Sequence, residues 1–328
     1  MASDFRSITR KNFFSSLGPD QRQWQDDYLA MYSTWHHGIV TDPVLMLIPI
    51  DDHVVHRGDG VFDVMRCVSG RIYQMESHLK RLEDSARAIS LNFPPEYKDI
   101  RDIIKSLVLA GGDKDCIIRT IVSRGPGGFS TSPFECPSSQ LYINIIRYHE
   151  LKEENYREGV SVILSKVPIK ESFFATIKSC NYLQNVLMKM EAINAGYKYA
   201  VNIDDNGFLG EGSTENIGIV SEDNCIKIPS FERTLSGITA KRIMELADTL
   251  VKDRIINGVS FARILPEDVY RSREVMLMGT SINILPVVNF NSRAIGSGSP
   301  GPIYTRLSDL LWKDMHENKD LLTEIEWE

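Results

Sequence analysis

Two charged residues, Lys178 and Glu211, stand 33 positions apart in segments that favour covalent chemistry. Apolar and small polar residues surround the lysine in Ala175–Leu183, and the glutamate lies within Gly210–Asn216. A partly desolvated lysine becomes a neutral amine, which can form a Schiff base with an aldehyde. A nearby carboxylate can pair with a protonated pyridine nitrogen. Taken alone, Lys178 has the pattern of an ordinary surface lysine, so this interpretation depends on further segments.

Three further segments carry the donors that a phosphate ester needs. Ser236–Lys241 places a glycine and a hydroxyl at a predicted helix start, where free N–H groups and the helix dipole favour an anion. Thr280 and Ser281 follow a predicted strand in a second turn that contains glycine and hydroxyl groups. The guanidinium fork of Arg81 matches phosphate geometry. Each signal is weak alone, because Thr239 also suits an N-cap, Thr280 a loop, and Arg81 a solvated helix face.

The elements that position these groups follow from apolar periodicity and from Gly and Pro punctuation. Ser77 is predicted to cap a helix over 78–89, and 318–328 is predicted to be a mobile tail. The other predicted helices cover about 97–110, 181–195 and 239–251. The predicted strands are 28–37 with its turn into 38–40, the hairpin 60–68 and 71–73, then 116–122, 141–146, 160–165, 198–203, 216–220 and 275–278. Because no regular βαβ rhythm is present, the order predicts an α+β fold.

A length of 328 residues predicts two domains. The charged stretch 150–156 is the predicted linker between an N-terminal domain, 28–149, and a C-terminal domain, 157–328. Residues 1–27 are predicted to form an arm, because they contain basic residues but no apolar signal-peptide core.

The composition limits the classes of function. Hydrophobic residues make up 42% of the chain and charged residues 25%, and the net charge of −7 argues against a general nucleic-acid surface. No run approaches the ~18 apolar residues of a membrane span. The five scattered cysteines form no CxxC pair and indicate reduced thiols, which predicts a cytoplasmic location and no zinc or other metal site.

Together these segments resemble the fold-type IV pyridoxal phosphate (PLP) enzymes over about 28–311. That group holds D-amino-acid, branched-chain and (R)-amine transaminases and aminodeoxychorismate lyase. The resemblance implies that Lys178, in Lys178-Ser179-Cys180-Asn181, forms the Schiff base and acts as catalytic base. It also implies that Glu211 pairs with the pyridine nitrogen. The residues implied to hold the phosphate are Arg81, Ile238, Thr239, Thr280 and Ser281.

The resemblance also implies the architecture and the assembly. The fold would be α+β, with a small α/β N-terminal domain and a larger pseudo-barrel C-terminal domain that together enclose PLP. A homodimer would complete each active site with a loop of the neighbouring subunit.

Substrate choice rests on three residues. The position where bacterial D-amino-acid transaminases have a tyrosine is Phe62 in this chain, and the Arg-x-His loop of those enzymes is absent. The segment His56–Asp63 and the arginine of Ile118–Ile121 resemble those of plant D-amino-acid transaminases. We therefore expect Arg57, from the neighbouring subunit, and Arg119 to bind the α-carboxylate of a D-amino acid such as D-alanine, with Phe62 beside them; the amino group would pass to a 2-keto acid. The plainer alternative for Arg57 is an ion pair with Asp59 or Asp63, and for Arg119 a charge at a strand edge.

Other activities stay open at this point. No feature of the sequence excludes a branched-chain L-amino-acid transaminase. An (R)-amine transaminase or an aminodeoxychorismate lyase would share the cofactor, although their usual lysine segments differ from Lys178–Tyr182. A PLP-carrying binding protein is the alternative without catalysis.

Overall fold

The structure is a computed structural model, and it describes residues 7–17 and 22–327. The predicted N-terminal arm therefore lies partly outside the described residues. Within those ranges, no helix combines the length and the apolar character needed to cross a bilayer.

The first sheet gathers strands from the N-terminal half and one strand from the C-terminus. Its order is β16-β4-β3-β5-β6-β1-β2, and its neighbouring strands are antiparallel. The strands are β1 (Tyr28–Ser33), β2 (Gly38–Val40), β3 (Gly60–Val68), β4 (Arg71–Tyr73), β5 (Cys116–Ser123), β6 (Gln140–Arg147) and β16 (Leu322–Glu324).

The second sheet comes from the C-terminal half. Its order is β12-β11-β10-β13-β14-β7-β8-β9, with β15 paired to β14. The strands are β7 (Val160–Leu164), β8 (Tyr199–Ile203), β9 (Leu209–Gly212), β10 (Asn216–Val220), β11 (Cys225–Ile228), β12 (Gly258–Phe261), β13 (Glu274–Gly279), β14 (Asn283–Phe290) and β15 (Arg293–Ala294). Parallel and antiparallel pairs are mixed, as in β7–β8 and β10–β13.

Helices cover the two sheets. The α-helices are α1 (Phe13–Ser16), α2 (His53–Arg57), α3 (Met75–Ala88), α4 (Ile100–Gly111), α5 (Glu153–Arg157), α6 (Ser172–Ala175), α7 (Leu183–Asn194), α8 (Ile238–Lys252), α9 (Pro266–Arg271) and α10 (Pro302–Glu317). Short 3-10 helices lie at Gln23–Asp27, Pro43–Leu45, Pro95–Asp99 and Pro133–Glu135. Apolar faces of α3 and α4 pack on the first sheet, and those of α8 and α10 pack on the second. Burial of these faces holds each helix on its sheet.

The predicted α+β fold is confirmed, and most predicted elements are present. The hairpin β3–β4 turns at Ser69 and Gly70, which both have positive φ as a tight hairpin turn requires. Two local predictions are wrong. Helix α3 begins at Met75 after Gln74, not at a Ser77 cap, and α8 begins at Ile238 with Gly237 as its N-cap.

The prediction that 318–328 form a mobile tail is also wrong for the described residues of this range. Leu322–Glu324 pairs with β4, and the indole N–H of Trp327 donates to the carbonyl oxygen of Gly70 at 2.9 Å. The tail therefore returns to the first sheet, and it is stabilised because Ile325 is buried in the core of that sheet and Leu322 in the apolar cluster of α8 and α10. The proposed domain boundaries, near 149 and 157, stay predictions.

Candidate active site

The lysine segment is attached to strand β3 through its backbone. The N–H of Phe62 donates to the carbonyl oxygen of Lys178 at 3.0 Å, and the N–H of Cys180 donates to that of Gly60 at 2.8 Å. A β-bridge between Val61 and Ser179 lies between these bonds. The segment thus extends the pairing of β3 and fixes the position of the lysine relative to both sheets.

Lys178 projects into a cavity of about 410 Å³ between the two sheets. Seven other residues expected at the site share this lining: Phe62, Arg81, Arg119, Ile238, Thr239, Thr280 and Ser281. The remaining lining residues include an apolar group, Val64, Ile117 and Ile146. The cavity therefore unites residues from distant parts of the chain.

The environment of Lys178 favours the neutral amine. Burial lowers the pKa of Lys178 to about 8, and the charge of Arg81 acts in the same direction. The lysine Nζ lies 3.3 Å from the hydroxyl oxygen of Tyr182 and 4.6 Å from the ring centroid of Phe62. These two rings pack edge to face at 5.0 Å and restrict the lysine side chain.

Glu211 is not among the residues that line this cavity, but the N–H of Leu235, which does line it, donates to the Oε2 atom of the glutamate at 2.9 Å. Burial raises the pKa of Glu211 to about 7, and the Leu235 N–H and the charges of Lys170 and Lys178 act against that rise. The backbone N–H of Glu211 donates to the side-chain oxygen of Asn202 at 3.0 Å. The Glu211 side chain is therefore held in place beside a residue of the cavity wall.

Arg81 is held by a buried carboxylate. Its Nε and Nη2 atoms each donate to Asp63 at 2.8 Å, and the Nδ1 atom of His78 lies 2.7 Å from the same carboxylate. Burial alone would raise the pKa of Asp63, but the charges of Arg81 and His78 lower it well below its usual range. Burial lowers the pKa of His78 despite Asp63. The remaining Nη1 atom of Arg81 lies 3.3 Å from the carbonyl oxygen of Ser236.

The start of α8 closes the cavity beside Arg81. Gly237 is the N-cap, and a Cβ atom there would collide with the side-chain oxygen of Asn216. Asn216 in turn donates to the carbonyl oxygen of Leu235 at 3.0 Å. This close approach brings the free N–H end of α8 to the cavity wall, where an anion is favoured.

The two candidate substrate arginines lie in different places. Arg119 is exposed on β5 and lines the cavity, with its guanidinium carbon 5.9 Å from the ring centroid of Phe62. Arg57 lies at the end of α2 and donates to the carbonyl oxygens of Phe129 and Ser130. Within the described part of the chain, Arg57 does not line the Lys178 cavity.

The alternative that Arg57 forms an ion pair with Asp59 or Asp63 is wrong. Arg124 binds Asp59 at 2.9 Å, and Arg81 binds Asp63. Arg57 instead holds a loop of its own subunit.

Sequence reasoning missed the roles of Asp63 and His78. The spacing of His78 and Arg81, three positions apart on a helix, shows that they share a face. That Asp63 lies under both follows only from the packing of α3 on β3.

Known proteins resemble this chain over most of its length. The family model described as amino-transferase class IV matches residues 60–290. The D-amino-acid transaminase, chloroplastic, of Arabidopsis thaliana is 39% identical over 289 residues, which cover 88% of this chain and 77% of that protein. A putative branched-chain-amino-acid aminotransferase of Methanocaldococcus jannaschii is 29% identical over 80% of this chain and 89% of that protein.

Solved structures show the same fold. A crystal structure of a branched-chain amino acid aminotransferase with pyridoxamine 5'-phosphate superposes with a TM-score of 0.84 at 24% identity, over 91% of this chain and 99% of that chain. The branched-chain amino acid aminotransferase from Escherichia coli superposes with a TM-score of 0.81 at 21% identity, over 92% of this chain and 100% of that chain. The extent of the family match and the identity to the Arabidopsis protein establish the relationship. The chain belongs to the class IV aminotransferase family.

Proposed function

We propose that this aminotransferase moves an amino group between a D-amino acid, such as D-alanine, and a 2-keto acid. The observation that carries the proposal is a lysine that lines a cavity and a buried glutamate bound to a residue of the same cavity wall, with pKa values that converge near neutrality. The pKa of Lys178 falls to about 8 and that of Glu211 rises to about 7. Such opposite shifts are typical of groups that exchange or hold protons during catalysis.

The residues of the cavity fit pyridoxal phosphate, the cofactor of this enzyme. Lys178 would supply the amine that holds the cofactor covalently, and Glu211, next to the cavity wall at Leu235, would supply a carboxylate for its pyridine nitrogen. Arg81, Thr239 and Thr280 line one region of the cavity beside the free end of α8, as a phosphate requires. The glycine at 237 permits this approach, because any side chain there would meet Asn216.

Bound pyridoxal phosphate supplies an electrophilic carbon and an electron sink. The Lys178 amine, when it is not bonded to the cofactor, would take the proton from the substrate α-carbon and deliver a proton to the cofactor. A pKa near 8 lets the lysine be neutral in a useful fraction of molecules at neutral pH. The Tyr182 hydroxyl, 3.3 Å from its Nζ, orients the amine, and Glu211 would favour a protonated ring nitrogen.

The preference for a D-substrate rests on residues that line the cavity. Arg119 and Phe62 are among them, and the Arabidopsis protein that is 39% identical is named a D-amino-acid transaminase. Arg57 completes the carboxylate site from the neighbouring subunit. Two guanidinium groups would form charge-assisted hydrogen bonds with the α-carboxylate.

A branched-chain L-amino acid is the second candidate substrate. The Methanocaldococcus relative and several solved neighbours are named for that activity. The apolar patch Val64, Ile117 and Ile146 in the cavity wall would suit a branched side chain.

A homodimer is part of the proposal. Helix α7 exposes an apolar stripe of Leu183, Val186, Met190 and Ile193, each between 51 and 70% exposed. The spacing of 3, 4 and 3 residues places these side chains on one face, which a second copy of the chain would cover. Since α7 directly follows the lysine segment, the covered face would adjoin the active site.

A reducing compartment such as the cytoplasm suits this chain. All five cysteines are free thiols, including Cys67 and Cys116, which face each other across strands β3 and β5.

The first experiment records the visible absorbance of the PLP-loaded protein before and after adding D-alanine, with L-leucine in a parallel sample. We expect D-alanine to convert the cofactor band to that of pyridoxamine phosphate, and a keto acid to restore it. Conversion by L-leucine alone would replace the D-substrate proposal with the branched-chain one. A PLP band that no amino acid changes would indicate a binding protein without transaminase activity.

A further inference from the structure

Arg66 is a buried cation for which the described residues provide no carboxylate within salt-bridge distance. Its side chain is 7% exposed, and its Nε atom has no hydrogen-bond partner among those residues. The Nη1 atom donates weakly to the side-chain oxygen of Asn283 at 3.4 Å, and the guanidinium carbon lies 3.6 Å from the ring centroid of Tyr148. A buried charge is costly without a counter-charge, so Arg66 favours the approach of an anion.

A second buried donor lies beside Arg66. The side-chain nitrogen of Gln74 has no partner among the residues described, and Gln74 is also 7% exposed. Both residues line a cavity of about 10 Å³, the room that one water molecule occupies. Thr239 and Thr280 line this cavity too, and they also line the large Lys178 cavity. The unpartnered donors therefore lie directly behind the proposed phosphate site.

The charge balance of that site gives Arg66 a role. Both oxygens of Asp63 accept hydrogen bonds from Arg81, so this ion pair has no net charge. Burial lowers the pKa of His78, which favours its neutral imidazole. A phosphate monoester carries up to two negative charges. Arg66 is the arginine that lines the small cavity, and no carboxylate of the described chain pairs with it.

We propose that Arg66 is a positioning residue for the cofactor phosphate and acts through one water molecule held in the small cavity. Its Nε atom and the Gln74 amide would donate to this water, which would donate to a phosphate oxygen at Thr239 and Thr280. The inference rests on the proposed function, because it requires the phosphate to bind there. The two arginines would then have different roles. Arg81, which is paired with Asp63, would orient the phosphate, and Arg66 would provide a positive charge that no carboxylate neutralises.

The test compares two cofactor forms that differ only in the phosphate. Cofactor-free full-length protein is titrated with pyridoxal phosphate and with pyridoxal, and bound cofactor is measured by equilibrium dialysis. We expect Arg66→Met to weaken pyridoxal phosphate binding at least about tenfold and to leave pyridoxal binding unchanged. Arg66→Lys should retain part of the preference for the phosphate form, because it keeps the charge.

Arg71→Met is the matched control. Arg71 is half-buried, donates to the carbonyl oxygen of His316 at 2.8 Å, and lies in the strand next to β3. Its loss should leave the preference for the phosphate form intact. If Arg66→Met does not fold, Arg66→Gln gives the same comparison, since it removes the charge but keeps a polar group near Asn283.

The outcomes separate this inference from the proposed function. A wild-type protein that binds both cofactor forms equally would contradict the phosphate site itself. A wild-type protein that prefers the phosphate form, together with an Arg66→Met variant that keeps the same preference, would overturn only the role of Arg66. An Arg66→Met variant with a higher KM for the amino acid but an unchanged preference for pyridoxal phosphate over pyridoxal would also overturn this role. That result would assign Arg66 to the substrate carboxylate.

Discussion

Phe62 and Lys178 are joined both through their backbones and through their side chains. The N–H of Phe62 donates to the carbonyl oxygen of Lys178 at 3.0 Å, and the lysine Nζ lies 4.6 Å from the centroid of the Phe62 ring. The backbone bond sets the position of the lysine on β3, and the ring limits its rotamers. A change in β3 is therefore transmitted directly to the reactive amine.

Lys178→Ala should abolish transamination and leave a folded protein. The reactive amine is lost, while the backbone bonds of residue 178 to Phe62 and to the Ser85 hydroxyl can remain. Steady-state assays with D-alanine and far-UV circular dichroism check both halves of this expectation. Normal turnover by the variant would remove Lys178 from the mechanism.

Lys178 should react with amine-selective acylating reagents at a lower pH than ordinary lysines do. Burial and the charge of Arg81 lower the pKa of Lys178 to about 8, against about 10.4 for an unperturbed lysine. Peptide mass spectrometry of cofactor-free protein labelled across a pH series gives the midpoint, with the exposed Lys98 as an internal reference. Arg81→Met should raise the midpoint of Lys178, because it removes a neighbouring positive charge. An unchanged midpoint would contradict this electrostatic role.

Glu211→Gln should change how the stability of the cofactor-free protein depends on pH. The pKa of Glu211 rises from 4.5 to about 7 on folding, so between these values the folded state binds more protons than the unfolded state. Stability contributed by the protonated form is therefore present at low pH and is lost as the pH rises toward 7. The glutamine variant should lack this loss, which is on the order of 3 kcal/mol. Urea unfolding at pH 4.5 and at pH 8 measures the difference, and parallel curves for both proteins would refute it.

Asp63→Asn should strongly destabilise the protein. It leaves the buried Arg81 without its carboxylate, and breaking a buried pair from one side costs about 3–5 kcal/mol. Because the folded pKa of Asp63 is lowered, its contribution is present above pH ~4 and is lost on further acidification.

The matched control for Asp63→Asn is Glu76→Gln. Glu76 accepts two hydrogen bonds from Arg101 at 2.6 and 2.7 Å, but this pair is exposed. Its loss should cost at most about 1 kcal/mol. Equal losses of unfolding free energy in the two variants would mean that burial does not set the value of the Asp63 pair.

Arg57→Ala and Arg119→Ala should each raise the KM for D-alanine about tenfold or more, because each removes a charged hydrogen bond to the α-carboxylate. Mixing subunits tests the origin of Arg57. A mixed dimer of Arg57→Ala and Lys178→Ala chains contains one site with an intact lysine and, from the partner, an intact arginine. Activity at low D-alanine should therefore recover on mixing. A mixture no better than Arg57→Ala alone would place Arg57 outside the partner's site.

Several features follow from the sequence because they are local. The Ser69-Gly70 turn between alternating strands predicts the hairpin, and the glycine and hydroxyl of 237–239 predict a helix start at Thr239, one residue after the observed start. The order of the lysine, glutamate and phosphate segments along the chain predicts the family. These signals require only neighbouring residues and the spacing of segments.

Other features depend on which elements pack together. The burial of Asp63 beneath Arg81 and His78 requires α3 to lie on β3, and the return of 322–324 to the first sheet requires β4 to be an open partner. The pKa values of Lys178 and Glu211 depend on desolvation, which arises only when the two sheets enclose a cavity. The amino-acid sequence specifies which chemical groups this protein has and in what order they come. Tertiary structure decided their charge states and their partners, because both depend on residues distant in the chain and on the exclusion of water.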